Sequence, residues 1–362
     1  MIYKKIAAAV LTLAAVVSTA NAQAEYAVEY DGKSMALSTL TDDDGGVMFP
    51  LRKVAEMLSA EVGWDGENRI VTVNAGSDVC KIPLGAGMMY KNKFRYDLAV
   101  PATLIDDTTY VGGEVLRLVL GVATDDERKI ISAAENTATH GDNSTISVIP
   151  TADTYVCGGV NSGTNYGGDE YVGFLNTPDE PDMNQMGYIK FDISGIDPEG
   201  LENVYFRCKV KKNEKLFQSS WKPVKLNMYD VEPGAWDEST LTYDNQPERG
   251  EYIAQGQAFF GYAGVDTAVD GADITDYIKN KIAEGKIEFS FMWEGSREQL
   301  QGAYMFSREN PDITKIARLE FVYHSPEVKD LEQYEPTWYG NGVKPIEQAR
   351  KMIDGTTAVY GT

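Results

Sequence analysis

The chain has 362 residues, with 55 acidic against 33 basic side chains and a formal net charge of −22. That balance argues against nucleic acid or an anionic membrane surface as a general partner, since both need phosphate-neutralising Lys and Arg. The length provides for two domains, each with a sizeable core.

Lys4 and Lys5 precede an apolar run from Ile6 to Val17, and Ala20-Asn21-Ala22 supplies a small-x-small cleavage site. Together these read as a secretory signal over residues 1–22. The run is too short to span a bilayer, which takes about 20 apolar residues, and no such run follows it. An uncleaved anchor is the competing reading. The expectation is a secreted or cell-surface protein without membrane insertion, beginning near Gln23. Removing the two lysines leaves 31 basic against 55 acidic residues, a charge of −24. Cys80, Cys157 and Cys208 contain no C-x-x-C pair. Buried free thiols and a Cys157–Cys208 bridge both remain open. His140 and His324 are far apart, so no zinc spacing exists.

Residues 25–135 read as a small α+β domain. Tyr26 to Tyr30 alternates and turns at Asp31-Gly32, a strong hairpin signal. Pro50 suits a first helical position, and Leu51, Val54, Ala55 and Leu58 follow at helical spacing. Ala60–Asp65 and Arg69–Val73 form a second hairpin around Gly66-Glu67-Asn68. Thr109–Val111 is a strand, and Val115, Leu116, Val119 and Leu120 mark a helix that Gly121 ends. Arg52 and Glu56 sit at i and i+4, the spacing of an ordinary exposed ion pair.

The run V-M-F-P-L-R-K-V-A-E-M-L-S-A-E-V-G-W-D, Val47 to Asp65, resembles the copper amine oxidase N-terminal-like domain. Ser59 stands where that motif has Gly, and Gly112-Gly113-Glu114 replaces its second P-L-R. The resemblance implies a non-catalytic, stalk-like unit. Copper needs clustered His ligands, which this region lacks, so no copper is expected.

Ala133 to Asn143 is small, polar and aperiodic, and the connection at 136–145 reads as a tether between two folded units. From 146 to 325, short strands recur between Gly, Asn, Asp and Pro, which predicts an antiparallel, jelly-roll-like β-sandwich. One short helix interrupts it, with an apolar stripe of Ile274, Tyr277, Ile278 and Ile282. Within the sandwich, Trp236-Asp237-Glu238 follows the turn Pro233-Gly234, and Leu241-Thr242-Tyr243 reads as a short strand before Asp244-Asn245-Gln246-Pro247.

These residues resemble the W-x-E…T-W-x-N-x-P signature of the DNRLRE domain, classed as carbohydrate-binding module family 96, with Tyr243 in place of its second Trp. Asp153-Thr154-Tyr155, Asn165-Tyr166-Gly167, Gly187 to Asp192, Ala272 to Thr275 and Phe306-Ser307-Arg308-Glu309 match further motifs in order. The resemblance implies a secreted sandwich with alginate-type ligands.

Lys209, Lys211, Lys212, Lys215, Lys222 and Lys225 fall within seventeen residues of an acidic chain, interleaved with Phe217 and Trp221. Ammonium groups pair with uronate carboxylates and aromatic rings stack on sugar faces, so the group is a candidate acidic-polysaccharide site. An ordinary solvated charge run explains it equally well. Arg308 joins the candidates, with a structural ion pair to Glu309 as its alternative. Asp153 and Asp273 are hard oxygen donors for calcium, although turn and cap bonding account for them too. Calcium is the one cofactor candidate. Trp236 reads as core.

Asp237 and Glu238 are adjacent and would diverge on a strand, whereas paired glycosidase carboxylates must face each other across a substrate. No nucleophile elbow, P-loop or metal triad appears. Residues 326–362 form a tail with one short helix, Pro345 to Ile353, behind Trp338-Tyr339. The sequence therefore points to an exported, non-catalytic binder of acidic polysaccharide. The rival is an adhesive surface protein that binds cell wall or protein, and a third reading is a lyase or hydrolase.

Overall fold

The computed structural model describes residues 24–30, 33–42, 45–125, 130–133, 145–177, 179–212, 224–258, 267–296 and 300–323. The C-terminal tail, both histidines and the Asp31-Gly32 turn fall outside them. Among the described residues no helix is long and apolar enough to cross a membrane.

In the N-terminal domain the strand Ala24–Tyr30 pairs antiparallel with Lys33–Thr41, Tyr26 lying opposite Leu37. Helix α1 (Leu51–Met57) begins one residue after Pro50, which takes its N-cap position, and buries Leu51, Val54 and Ala55, three of the four residues its spacing selected; Leu58 ends the helix and is half-buried. Helix α2 (Gly113–Leu120) buries Val115, Leu116 and Val119 and closes on Gly121, whose φ of 67° is the left-handed geometry of a helix C-terminus. Ser59, where the related motif has Gly, takes φ 61° just beyond α1. A side chain in that region costs about 1–2 kcal/mol.

Both helices pack on a core that includes Tyr26, Leu37, Phe49, Val73 and Met89. A seven-stranded sheet contributes to this core, as does a meander of Glu61–Asp65, Ile70–Ala75, Asp78–Pro83, Met88–Lys91 and Phe94–Asp97. Sequence reading had found the first two strands of the meander and not the last three.

The meander leads straight into the second domain. Ser147 and Val148 pair with Arg95 and Phe94. Tyr90 Oη donates to the Ile313 carbonyl at 2.8 Å, and Lys93 Nζ meets Asp192 Oδ2 at 2.8 Å. The two domains thus share backbone and side-chain contacts that the tether reading of 136–145 did not contain; of that connection, residues 136–144 lie outside the described residues.

Nine of the short strands read between 146 and 325 are present as antiparallel strands, Leu241–Tyr243 being the exception, and Tyr252–Ala258 and Thr267–Asp273 add to them. Hydrogen-bonded neighbours run Thr267–Asp273, Tyr252–Ala258, Val224–Asp230, Glu288–Gly295, Gln185–Asp192, Tyr171–Asn176, Gln301–Phe306 and Leu201–Lys212, which pairs again with the first. The path closes through narrow corners, a single residue pair at Gln257–Asp270 and another at Leu175–Gln185. Such closure leaves few open sheet edges, and the strand Ala152–Cys157 lies off the path, paired to Gln185–Asp192.

Four aromatic rings fill the interior. Phe191 lies 6.2 Å from Phe206 and 6.1 Å from Phe291, and Phe206 lies 4.7 Å from Trp293. Helix α3 (Thr275–Ala283) buries Ile278 and is followed by Gly285 at φ 82°.

Two sequence readings change. Leu241 to Tyr243 is not a strand; Tyr243–Asn245 is a 3-10 turn, closed by a capping box between Thr242 and Asn245. The local side-chain bonds outcompete a sheet ladder there. All three cysteines are free and buried, so Cys157 and Cys208 are not bridged. Burial pushes the Cys208 thiol up to about 12 and the Cys80 thiol up to about 11.

Candidate functional site

The signature loop after Pro233 packs on one face of the strands Gln185–Asp192 and Glu288–Gly295. Trp236 is 6% exposed and clusters with Tyr188, Leu241 and Met292. Its indole Nε1 donates to Ser290 Oγ at 2.7 Å, and Lys190 Nζ stands 4.2 Å from its ring centroid while donating to its carbonyl. Burial lowers the Lys190 pKa, with Asp237, Glu288 and Glu238 opposing that shift. Asn165 Nδ2 holds the loop from outside through the carbonyls of Glu238 and Leu241, both at 2.8 Å. Tyr188 Oη reaches Gln246 at 3.1 Å. The tryptophan is core, as its size implied, and Asp237 only closes a turn on Ser239.

Behind this loop three carboxylates converge. Asp153 comes from the strand Ala152–Cys157, Glu238 from the signature loop, and Glu309 from the turn after Gln301–Phe306. One oxygen from each lies within 4.8 Å of the others. The Asp153 amide donates to Glu238 Oε1 at 2.7 Å, and the Arg308 amide donates to Asp153 Oδ2 at 3.0 Å. The Arg308 guanidinium lies 3.3 Å from Glu309 Oε1 and 3.9 Å from Glu238 Oε2, and it also donates to the Thr151 carbonyl. Burial, then repulsion from Glu309, holds the Asp153 carboxyl well above the usual carboxylate range. Burial and then Glu238 push Glu309 up as well.

This arrangement redistributes the calcium candidates. Asp153 is in the cluster. Asp273 is not, because its carboxylate accepts from the Thr275 amide at 3.0 Å and from the Thr275 hydroxyl at 2.6 Å, which fixes the start of α3. Arg308 sits among the carboxylates and pairs with Glu309, the contact its alternative reading described. Glu238 and Glu309 went unrecognised as a pair of donors.

Of the lysine-rich group, the structure places Lys209 and Lys211 on one face of the strand Leu201–Lys212, with Cys208 and Val210 buried on the other. Lys209 is exposed and lies opposite Ala268, while Lys211 lies opposite Tyr304. Lys211 Nζ is 5.6 Å from the Tyr171 ring centroid, and the Tyr171 and Tyr304 rings are 6.2 Å apart. Both tyrosines are half-buried. The Lys212 side chain, Lys215, Trp221 and Lys222 lie outside the described residues.

The fold and these sites define a two-domain, β-rich protein whose long-range polar contacts concentrate in a sandwich. The comparisons agree with this division. Residues 144–318 match carbohydrate-binding module family 96, and residues 28–132 match the copper amine oxidase N-terminal domain. No curated protein matches the chain. The architecture suspected from the motifs is therefore the one found, and the second domain is of a carbohydrate-binding, non-catalytic type.

Proposed function

We propose that this is an exported protein whose sandwich reversibly binds an acidic, uronate-type polysaccharide and whose N-terminal domain serves as a stalk. The observation that carries the reading is the surface of Lys209, Lys211, Tyr171 and Tyr304. Two ammonium-bearing side chains share a strand face, and Lys211 stands beside two half-buried tyrosine rings. Half-buried rings lose little rotamer freedom on binding and offer flat apolar area to a sugar face, while the lysines match carboxylates. No step beyond binding is invoked.

Affinity electrophoresis of the full chain in gels of alginate, pectin, heparin or neutral glucan tests it. Retardation by an acidic polymer that weakens with salt supports the reading, because exposed charges are screened beyond about 10 Å at 0.1 M salt. Retardation by none of the four contradicts it, and the cell-wall or protein adhesion reading then takes precedence. A neutral-glycan variant has its own observation. Tyr252 is 56% exposed and opposes Tyr229, and Asn227 opposes Gln255 on the same two strands, Val224–Asp230 and Tyr252–Ala258. Retardation by neutral glucan, indifferent to salt, would favour that surface.

A further inference from the structure

The carboxylate cluster contains buried oxygens that no protein donor satisfies. Asp153 is 1% exposed, and its Oδ1 has no hydrogen-bond partner; Glu309 Oε2 is buried and likewise unpartnered. The remaining contacts are accounted for: Asp153 Oδ2 takes the Arg308 amide and Glu238 Oε1 takes the Asp153 amide. Among the described residues Arg308 is the one cation in ion-pair contact with the three carboxylates, through Glu238 and Glu309, and against it they leave a formal charge of −2. Buried carboxylates are stable only when paired, protonated or bound to a metal.

We propose that Asp153, Glu238 and Glu309 bind one calcium ion. The donor set is entirely oxygen and anionic, the choice of a hard cation. Oxygens held within 4.8 Å of one another fit two metal–oxygen bonds of about 2.4 Å each. Magnesium prefers bonds of about 2.0–2.1 Å in a strict octahedron and keeps most of its water. The three ligands come from a strand, the signature loop and a closing turn that are remote in sequence. The ion therefore ties these segments together, supplying the positive charge that Arg308 alone does not.

The test uses the full chain, stripped with a chelator and then titrated with calcium chloride in a calorimeter and in thermal unfolding. The expected result is one ion per chain, a dissociation constant of about 0.1–1 mM or tighter, and a melting temperature raised by about 3 °C at tenfold excess over that constant. Glu309→Gln should weaken calcium binding at least about tenfold and abolish the melting shift. Asp153→Asn, nearly isosteric, should do the same. Without calcium both variants should melt no lower than the parent, because each removes one of three mutually repelling charges. Absence of binding up to about 5 mM calcium, beyond the range of extracellular calcium modules, would overturn the proposal. So would a parental response in Glu309→Gln, or an equal shift with magnesium.

Discussion

The two domains use polar side chains differently. In the N-terminal domain, apart from Tyr90 and Lys93, which reach Ile313 and Asp192, many of them close local structure: Asp65 accepts from the amides of Glu67 and Asn68, and Asn92 reaches back to Asp78 and Val79. Arg52 and Glu56 form an exposed pair at 3.9 Å, worth a few tenths of a kcal/mol. In the sandwich the corresponding bonds join remote segments. Asp153 meets residues 85 and 155 positions away, and Asn165 reaches 73 and 76 positions to hold the signature loop. Bonds of that reach bring together charged groups that no single segment could hold, as in the cluster of Asp153, Glu238 and Glu309.

Core substitutions should break this contrast most visibly. Trp236→Ala removes a buried indole and its bond to Ser290, at about 3–5 kcal/mol, and should also abolish the calcium response. Leu51→Ala in the N-terminal core should cost a comparable 2–5 kcal/mol or so yet leave calcium and glycan binding intact. Denaturant unfolding, combined with calcium titration below the transition, separates the two outcomes. Loss of calcium binding in Leu51→Ala would show that the domains act as one cooperative unit.

Next in size, Lys209→Ala with Lys211→Ala should weaken binding of an acidic glycan about tenfold, since two exposed ion pairs are worth roughly 0.5–1 kcal/mol each. The melting temperature should be unchanged.

Acid should act on the supporting contacts. The Lys91 hydrogen bond holds the Asp78 carboxyl below its usual range. Burial pushes Asp192 up, but bonds from Lys93 and Ser194 outweigh it and leave the net shift downward. Both groups bind fewer protons when folded. Their contribution is present above the unfolded carboxylate pKa of about 3.9 and is lost as pH falls through the folded values. Each is about a third exposed, so the loss stays below about 1 kcal/mol apiece after screening. Asp192→Asn should flatten the acid limb of a melting-temperature profile recorded as pH is lowered.

The smallest effect is Ser59→Gly. Relief of the left-handed backbone, set against the added freedom of the unfolded chain, should raise stability by roughly 0.5 kcal/mol in denaturant titration.

The sequence made the fold legible wherever periodicity was local. The two α-helical stripes of the first domain, the third helix and nine sandwich strands all stand where spacing placed them. Leu241 to Tyr243 misled because three alternating residues look the same in a strand and in a capped turn, and the Thr242–Asn245 bond decides between them. Site residues were legible in part. Lys209 and Lys211 stood out as members of a lysine-rich run, but the meeting of Lys211 with Tyr304 and Tyr171 depends on strand register that no local pattern contains. Asp153 stood among the calcium candidates from the start, and the fold places it in the carboxylate cluster. Glu238 and Glu309 escaped because their proximity is created by folding. Their signal was that both occupy acidic positions of the same signature motifs.

The most direct test of the account is calorimetric titration of the full chain with a uronate oligosaccharide at low and high salt, beside the Lys209→Ala, Lys211→Ala double variant. Saturable binding is expected that weakens with salt and falls about tenfold in the variant, with a reduced salt dependence. Equal affinity in the two proteins, or no heat with any uronate oligomer, would contradict it.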